Sequence, residues 1–176
     1  MRHAKSDWSN ADRVHDSERG LNKRGRRDAA RVGLELRKRG LMTDKMKVFV
    51  SHARRARDTY ALLKEASDVS VEETVLPAFY DACHHSVSAM MDAMRDDIQD
   101  VLSTGDTSGI LLVGHNPGIE ALLRFFVDDN SSGNWGDLTL TTSNVAIMRQ
   151  RRHLARSGWE APHSYRLEML IRPREL

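Results

Sequence analysis

The sequence predicts an α/β fold with a mostly parallel central sheet. Short apolar runs, which are typical of buried strands, alternate along the chain with longer segments whose apolar residues recur at helical spacing. Strands that alternate with helices pair in parallel, because each helix carries the chain back to the start of the next strand. The chain has 176 residues, enough for one domain over residues 1–176 with its own hydrophobic core.

The first half of the chain contains two predicted helices and one predicted strand. A helix is expected over residues 22–39, because Asn22 can cap its start and Gly40 follows as a stop signal. Residues 47–51 are apolar and too few for a helix, so they predict a buried strand. Residues 53–67 have apolar side chains at helical spacing and predict the next helix.

The second half adds two helices, three strands and a loop. Residues 86–102 carry a methionine-rich stripe at helical spacing, which predicts a helix packed in the core. Residues 109–114 include four consecutive large apolar residues, which favours a strand buried on both faces. A helix from about Pro117 to Asp128 follows, with Asn116 placed to cap it. The remaining predictions are a loop over 130–137 and strands over 145–148 and 165–171.

Charge is unevenly distributed, although 27 basic side chains nearly balance 25 acidic ones. Both ends of the chain, residues 1–39 and 144–176, are basic, whereas residues 106–143 are acidic. If the two ends meet, they form an anion-binding surface; the alternative is that the basic residues of the first helix are its solvated face. Aromatic residues make up 6% of the chain and do not alternate with basic ones, which argues against a nucleic-acid partner.

Composition also excludes several classes of protein. No apolar run approaches the ~20 residues needed to cross a bilayer, so we expect no membrane-spanning segment and no membrane partner. The single cysteine, Cys83, cannot form an internal disulfide, and the basic, polar start of the chain does not have the pattern of a signal peptide. A reducing, cytoplasmic location is therefore expected. The adjacent His84 and His85 predict surface positions rather than a metal site, and we expect no metal or other cofactor.

Reactive side chains stand at three positions that the predicted fold brings to one edge of the sheet. Arg2 and His3 open the chain, and His115 lies between the strand over 109–114 and the next helix. The strand over 47–51 leads into Ser51-His52-Ala53-Arg54-Arg55-Ala56, which brings arginine to the same edge. Ligands of α/β folds bind at the carboxyl ends of strands, and a helix N-terminus offers free N–H groups to an anion. Arginine and histidine at that edge predict a site that binds and attacks a phosphoryl group.

Four segments extend this prediction. They are Arg2-His3-Ala4-Lys5-Ser6-Asp7-Trp8, Leu21-Asn22-Lys23-Arg24-Gly25, Ser51-His52-Ala53-Arg54-Arg55-Ala56-Arg57-Asp58-Thr59 and Leu112-Val113-Gly114-His115-Asn116-Pro117-Gly118. In order and spacing they resemble the histidine phosphatase superfamily, and within it the small SixA-like phosphohistidine phosphatases. The match spans nearly the whole chain, and its first and last segments together are highly specific. It implies a phosphoglycerate mutase-like fold, a three-layer α/β/α sandwich.

The resemblance also implies roles for the matching residues. His3 matches the nucleophile, which attacks phosphorus and becomes a phosphohistidine. Arg2 and Arg55 match the arginines that hold the phosphoryl oxygens, a task suited to a planar guanidinium fork. His115 matches the second histidine of the pocket, which lies against the phosphoryl group.

Two further substrate-binding positions are implied less directly. Arg19 stands where relatives have an arginine before Pro-Leu, but here Gly20 replaces the proline, and Asn116 follows the second histidine. No metal is required in this scheme. The nucleophile His3 must attack as a neutral imidazole, so its other ring nitrogen should donate a hydrogen bond that fixes the tautomer. The sequence does not show which group accepts that bond.

The leaving group decides the predicted substrate. Many larger relatives protonate it with a carboxylic acid from the region between Arg55 and His115, where Glu72, Glu73 and Asp81 are the candidates and none matches a motif strongly. Protonated imidazole leaves phosphorus readily without such help. The short region between Arg55 and His115 also leaves little room for a lid. We therefore expect an open pocket that acts on phosphohistidine in a partner protein and releases inorganic phosphate.

Two alternatives stay open. One is a phosphatase for a small phosphoester, such as a sugar phosphate or a nucleotide, which a carboxylate beside His3 and His115 would favour. The other is a module that binds phosphorylated or nucleic-acid partners through its basic ends without turnover.

The position of Met1 adds an expectation about the sheet. In the family the Arg-His pair ends a buried strand near the middle of the sheet, and Met1 takes the place of the last residue of that strand. We therefore expect a strand of about five residues before it. That strand either lies upstream in the natural chain or is replaced by another segment, such as one from a second copy.

Overall fold

The computed structural model describes residues 1–9, 12–127, 138–151 and 158–176. Helices and strands alternate along these ranges as the sequence predicts. In chain order they are α1 (Lys23–Lys38), β1 (Met46–Ser51), α2 (Arg54–Ser67), β2 (Glu73–Leu76), α3 (Phe79–Ala82), α4 (Val87–Asp92), α5 (Arg95–Thr104), β3 (Gly109–Val113), α6 (Gly118–Phe126), β4 (Val145–Gln150) and β5 (Tyr165–Ile171). Short 3₁₀ turns cover Asp16–Glu18 and Pro173–Glu175.

Three of the strands form a parallel sheet in the order β2-β1-β3. Val50 of β1 pairs with Val75 of β2 on one side and with Val113 of β3 on the other, so the carboxyl ends of all three strands lie at one edge. The predicted parallel sheet is confirmed for these strands. The last two, β4 and β5, pair antiparallel to each other, with an irregularity between Ile147 and Met148.

Helices cover both faces of the parallel sheet. On β1 the alternate residues Val48 and Val50 pack with α1 and α2, in a cluster that includes Val32 and Leu63. Phe49 points to the opposite face and packs with residues of α3 to α6. Alternation along a strand sends successive side chains to opposite faces, and this produces the predicted three-layer α/β/α arrangement.

The first three residues lie beside the carboxyl end of β3. Gly114 donates its N–H to the Met1 carbonyl at 3.1 Å, and His3 donates its own to the Gly114 carbonyl at 3.0 Å. On the other side, Arg2 donates to the Asn144 carbonyl at 3.1 Å, just before β4. This short extended segment therefore joins the parallel sheet to the antiparallel pair and carries Arg2 and His3 to the edge where the strands end.

One predicted helix is divided in two. Residues 86–102 form α4 and part of α5, and the helical path breaks at Met94, whose backbone has φ −131° and ψ 0°. The apolar spacing continues across the break because Met94 is itself fully buried. Asp96 and Asp97 stand in the first turn of α5, where acidic side chains favour a new helix N-terminus.

The other predicted helices and strands are confirmed within one or two residues at each end. The short strand β2 and helix α3 had no sequence prediction, and the predicted loop over 130–137 lies outside the described residues. On α1 the basic side chains of Arg24 and Arg27 are exposed and pair with Asp28, as the solvated-face alternative predicts. None of the described helices has the length and apolar character needed to span a membrane.

Candidate active site

The edge where β1 and β3 end brings together most of the predicted site residues. His3 follows the short extended segment at the start of the chain, Arg55 lies in the first turn of α2, and His115 follows β3. Arg19 joins them from the end of the 3₁₀ turn Asp16–Glu18. All four side chains are buried, with exposed fractions between 2% and 8%. Polar groups buried together in this way need specific partners, and those partners define the chemistry.

A hydrogen bond fixes the tautomer of His3. Its Nδ1 lies 2.7 Å from the Ala4 carbonyl oxygen, which can only accept, so Nδ1 carries the proton. The lone pair is therefore on Nε2. The backbone of Ala4 is itself held, because the Ala4 N–H donates to the hydroxyl of Thr59 at 2.9 Å. This supplies the hydrogen-bond partner of His3 that the sequence did not show.

The surroundings of His3 keep its ring neutral. Burial lowers the pKa of His3 to about 3, and the positive charges of Arg55, Arg2 and Arg19 act in the same direction. The hydrogen bond to the Ala4 carbonyl opposes them but is outweighed. A neutral imidazole with a free Nε2 is the form that can act as a nucleophile.

His115 lies directly beside His3, with ring centroids 5.0 Å apart. Its Nε2 is 2.8 Å from the hydroxyl oxygen of Ser51, the last residue of β1. Its Nδ1 is buried and has no hydrogen-bond partner among the described residues. Burial lowers the pKa of His115 to about 2, with further lowering by His3 and Arg55, so this ring is neutral as well.

Asp16 is a site residue that the sequence analysis missed. Arg55 donates from Nη1 to the Asp16 backbone oxygen at 2.6 Å and from Nη2 to its carboxylate at 2.9 Å. Arg19 donates to the other carboxylate oxygen, and the hydroxyl of Tyr80 donates to the first at 2.5 Å. Burial acts to raise the pKa of Asp16, but the bond from Tyr80 and the two arginines outweigh it, so the pKa is lowered. An acidic residue three positions before Arg19 was the only signal in the sequence.

Arg2 and Asn116 meet at a single carbonyl group. The Arg2 Nη1 donates to the Leu140 carbonyl at 2.8 Å, and the Asn116 side-chain amide donates to the same oxygen at 3.1 Å. The amide also donates to Glu120 at 2.8 Å. The prediction that Asn116 caps α6 is wrong, because Pro117 occupies the cap position and the Asn116 side chain bonds to Glu120 and Leu140 instead.

Aromatic and imidazole rings form one wall of the site. The ring of Tyr80 stands edge-on to His115 at 5.2 Å and lies 5.5 Å from the Arg55 guanidinium carbon. His52 and His84 flank Tyr80, with ring centroids 5.1 and 5.3 Å from it. His84 is exposed, as predicted. No pattern in the sequence singles out Tyr80, which lies on the unpredicted helix α3.

Two of the three candidates for a general acid are engaged or placed elsewhere. Glu72 pairs with Lys64, and Glu73 lies at the start of β2, opposite the edge where the strands end. Asp81 is exposed on α3. In the part of the chain that the structure describes, no group of three or more His, Cys, Asp or Glu side chains is arranged to hold a metal ion.

The sequence matches a known family over its first part. Residues 1–82 match the model of the histidine phosphatase superfamily (branch 1). This segment includes His3, Arg19 and Arg55. No curated protein matches the sequence.

Solved structures share the fold over nearly the whole chain. The protein histidine phosphatase SixA complexed with tungstate has a TM-score of 0.72 at 16% identity, with 99% of this chain and 96% of that chain covered. A protein described as a phosphohistidine phosphatase SixA from Nakamurella multipartitia has a TM-score of 0.70 at 24% identity, with 98% and 93% covered. A mycobacterial glucosyl-3-phosphoglycerate phosphatase complexed with VO3 has a TM-score of 0.59 at 16% identity, with 96% and 95% covered.

At these identities the solved structures establish a common fold, whereas the match of residues 1–82 is one of sequence. Together they confirm the predicted phosphoglycerate mutase-like architecture, and residues 1–82 are similar in sequence to the histidine phosphatase superfamily.

Proposed function

We propose that this protein is a metal-independent phosphatase that uses His3 as its nucleophile and acts on phosphohistidine in a partner protein. The observation that carries the proposal is the bond from His3 Nδ1 to the Ala4 carbonyl, which leaves Nε2 with a free lone pair. The match of residues 1–82 to the model of the histidine phosphatase superfamily supports phosphatase activity as such. The finer assignment of substrate rests on the chemistry of the site.

In the first step, Nε2 of His3 attacks phosphorus, and the phosphorus–nitrogen bond of the substrate breaks. If the substrate imidazole is protonated on its other ring nitrogen, it departs as neutral imidazole and no proton from the enzyme is needed. His3 becomes a phosphorylated imidazolium that keeps its Nδ1 proton on the Ala4 carbonyl. Arg2, Arg19 and Arg55 supply the positive charge that stabilises the phosphoryl oxygens in the transition state.

In the second step, water attacks the phosphoryl group of the intermediate and the Nε2–phosphorus bond breaks. Both protons of the water stay on the product, which leaves as H₂PO₄⁻, and His3 returns to its neutral form. His115 lies against His3 and has one ring nitrogen without a partner among the described residues, so we place it in contact with a phosphoryl oxygen. We assign it to substrate binding, together with Arg2, Arg19 and Arg55.

Among the described residues no carboxylate forms a hydrogen bond to the ring of His3 or His115, which supports phosphohistidine over an alkyl phosphate. Asp16 is a carboxylate in contact with the site arginines, and its pKa is lowered there. A solvent-exposed aspartate is likewise ionised at neutral pH, so Asp16 holds no proton to donate whether or not it stays on the arginines. An alkoxide leaving group needs such a proton, whereas a protonated imidazole does not. The SixA structures, whose names describe histidine phosphatases, share this fold.

A small phosphoester is the second candidate substrate class. It is favoured by the fold shared with the mycobacterial glucosyl-3-phosphoglycerate phosphatase, whose name describes a small-molecule substrate. We also propose that the protein acts in the cytoplasm and as a single domain.

The experiment compares both substrate classes and traps the intermediate. The protein is incubated with a ³²P-phosphohistidine phosphotransfer domain and, in parallel, with sugar phosphates, and the labelled residue is mapped after an acid-free quench. We expect faster turnover of the phosphohistidine domain and label on His3 that is lost in His3→Ala. His85→Ala, which alters an exposed histidine, is the matched control. Faster turnover of a sugar phosphate would contradict phosphohistidine as the preferred substrate. Label retained in His3→Ala would contradict the assignment of His3 as the nucleophile.

A further inference from the structure

The carboxylate of Asp16 lies where two buried arginines converge. One carboxylate oxygen accepts from Arg55 Nη2 at 2.9 Å and the other accepts from Arg19 Nη2. Tyr80 donates its hydroxyl to the first oxygen at 2.5 Å. Each carboxylate oxygen of Asp16 thus accepts a hydrogen bond from one guanidinium group.

These contacts are the ones that a bound phosphoryl group requires. Arginine forks bind phosphate through N–H groups that meet neighbouring oxygens, as they bind carboxylate. Asp16 thus makes, within the chain, two of the bonds that the proposed substrate would make to Arg19 and Arg55. A third potential contact for the phosphoryl group is the Nδ1 of His115, which is buried and has no partner among the described residues.

Asp16 can leave this position more easily than the arginines can. It stands on the 3₁₀ turn Asp16–Glu18, in which no residue is buried. Its side chain is 47% exposed, whereas the side chains of Arg19 and Arg55 are 6% and 5% exposed. A half-exposed carboxylate is hydrated again when it leaves the arginines, so its departure costs little free energy. A buried guanidinium left without an anion is a desolvated, unpaired charge, which is strongly destabilising. An anion beside Arg19 and Arg55 therefore stabilises the fold in every state, and the Asp16 carboxylate is that anion when no ligand is bound.

We propose that Asp16 determines substrate affinity: its carboxylate occupies the phosphoryl site of the free protein, and the phosphoryl group displaces it from Arg19 and Arg55. The inference rests on the proposed function, because it places the phosphoryl group against the arginines beside His3. A dianion with three oxygens replaces a monoanion with two, which favours the exchange. The apparent affinity is reduced in proportion to the fraction of molecules in which Asp16 still holds the arginines.

The test measures tungstate binding by calorimetry in Asp16→Asn and in the unaltered protein at the same ionic strength. Asparagine keeps the size of the side chain and removes its charge. We expect Asp16→Asn to bind tungstate about tenfold more tightly, which corresponds to Asp16 occupying the site in about 90% of free molecules. Glu18→Gln is the control, because it removes one negative charge from an exposed position on the same turn. We expect it to change the affinity less than about twofold, since exposed charges are screened.

Two outcomes would overturn the proposal. Equal or weaker tungstate binding by Asp16→Asn would mean that Asp16 stays in place and orients the arginines. An equal gain in Glu18→Gln would mean that net charge alone sets the affinity.

A crystal structure of the unaltered protein with tungstate gives a readout that needs no variant. The Asp16 carboxylate should then lie beyond hydrogen-bond distance of Arg55, and its retention on Arg55 would refute displacement. Tungstate binding requires no turnover, so the result is independent of the phosphoenzyme experiment. A protein that forms no phosphoenzyme but shows the Asp16 effect would contradict only the proposed function.

Discussion

The hydroxyl of Thr59 accepts a hydrogen bond from the N–H of Ala4 at 2.9 Å, so a residue of α2 holds the backbone of the residue whose carbonyl orients His3. Thr59 is fully buried and donates in turn to the Arg55 carbonyl at 2.6 Å. The Ala4 carbonyl accepts the Nδ1 proton of His3. One hydroxyl thus connects the helix that carries Arg55 to the backbone that orients the His3 ring.

Replacement of Thr59 by valine should impair catalysis more than binding. The change keeps the shape of the side chain but leaves the buried Ala4 N–H unsatisfied, which costs about 1–3 kcal/mol of folding stability. We expect a lower kcat with little change in the tungstate dissociation constant. Thr59→Ser, which restores the hydroxyl, should recover most of the lost kcat. Equal kcat in Thr59→Val and the unaltered protein would show that the Ala4 backbone is held in place without the hydrogen bond to Thr59.

Replacement of Ser51 by alanine should disturb His115. The Ser51 hydroxyl lies 2.8 Å from His115 Nε2, and its loss leaves a buried ring nitrogen without a partner. We expect a kcat/KM lower by about tenfold, because the ring is then free to change tautomer. Ser67→Ala is the control, since it removes a buried hydroxyl at the far end of α2. Its steady-state kinetics should match those of the unaltered protein; a comparable loss there would assign the Ser51 effect to general destabilisation.

Replacement of Arg55 by lysine should weaken oxyanion binding. A lysine cannot present two parallel N–H groups to neighbouring oxygens, although it keeps the charge. We expect the tungstate dissociation constant to rise about tenfold or more, because a paired contact is lost. Arg57→Lys, an exposed change on the same helix, should leave the constant unaltered. If Arg55→Lys also binds tungstate normally, Arg55 does not contact the oxyanion.

The two buried histidines should make the fold less stable in acid. The pKa of His3 is lowered to about 3 and that of His115 to about 2, both from an ordinary value of 6.5. Between about pH 6.5 and pH 3 the unfolded chain therefore binds protons that the folded chain does not, so stability falls as the pH falls through this range. Each histidine should contribute a loss of about 2 kcal/mol at pH 5.

Urea unfolding at pH 7 and pH 5 measures this loss. The variant His115→Gln removes one of the two titrating groups. The change in its free energy of unfolding between pH 7 and pH 5 should therefore be smaller by about 2 kcal/mol than that of the unaltered protein. An identical pH dependence in the variant and the unaltered protein would show that His115 is not held neutral by the fold.

Replacement of Gly25 by alanine should disturb the segment that carries the site. A Cβ atom at Gly25 would lie 2.1 Å from the backbone oxygen of Lys5, in a close approach between α1 and the residues after His3. We expect a loss of stability of about 1–3 kcal/mol or more, together with lower activity. Gly109→Ala is the control, since the nearest atom to its Cβ would be 3.8 Å away. Thermal unfolding of both variants checks the difference, and equal melting temperatures would contradict it.

The predictable parts of this protein are those that local patterns encode. The apolar run ending in Val113 and the Asn22 cap of α1 follow from short-range preferences, and the structure has both. The positions of His3, Arg55 and His115 followed from a rule about strand ends and from motif spacing.

The missed parts depend on tertiary contacts. Asp16 reaches Arg55 across 39 residues of sequence, and Tyr80 reaches Asp16 across 64. Met94 has the spacing of a continuous helix, yet the chain breaks there with the side chain still in the core. No local pattern distinguishes such residues from ordinary polar or apolar ones, because packing in the folded chain decides their role.

The attachment of the first residues to β3 and to the start of β4 also bears on how the protein folds. Met1 bonds to Leu112 and Arg2 to Leu140, over separations of 111 and 138 residues. Contacts of such high sequence separation form slowly, because a long loop must close before they stabilise anything. During synthesis, His3 therefore leaves the ribosome long before Leu140 and gains its neighbours only after Leu140 has emerged. The site should therefore assemble late, after the segment that contains Leu140 has been synthesised.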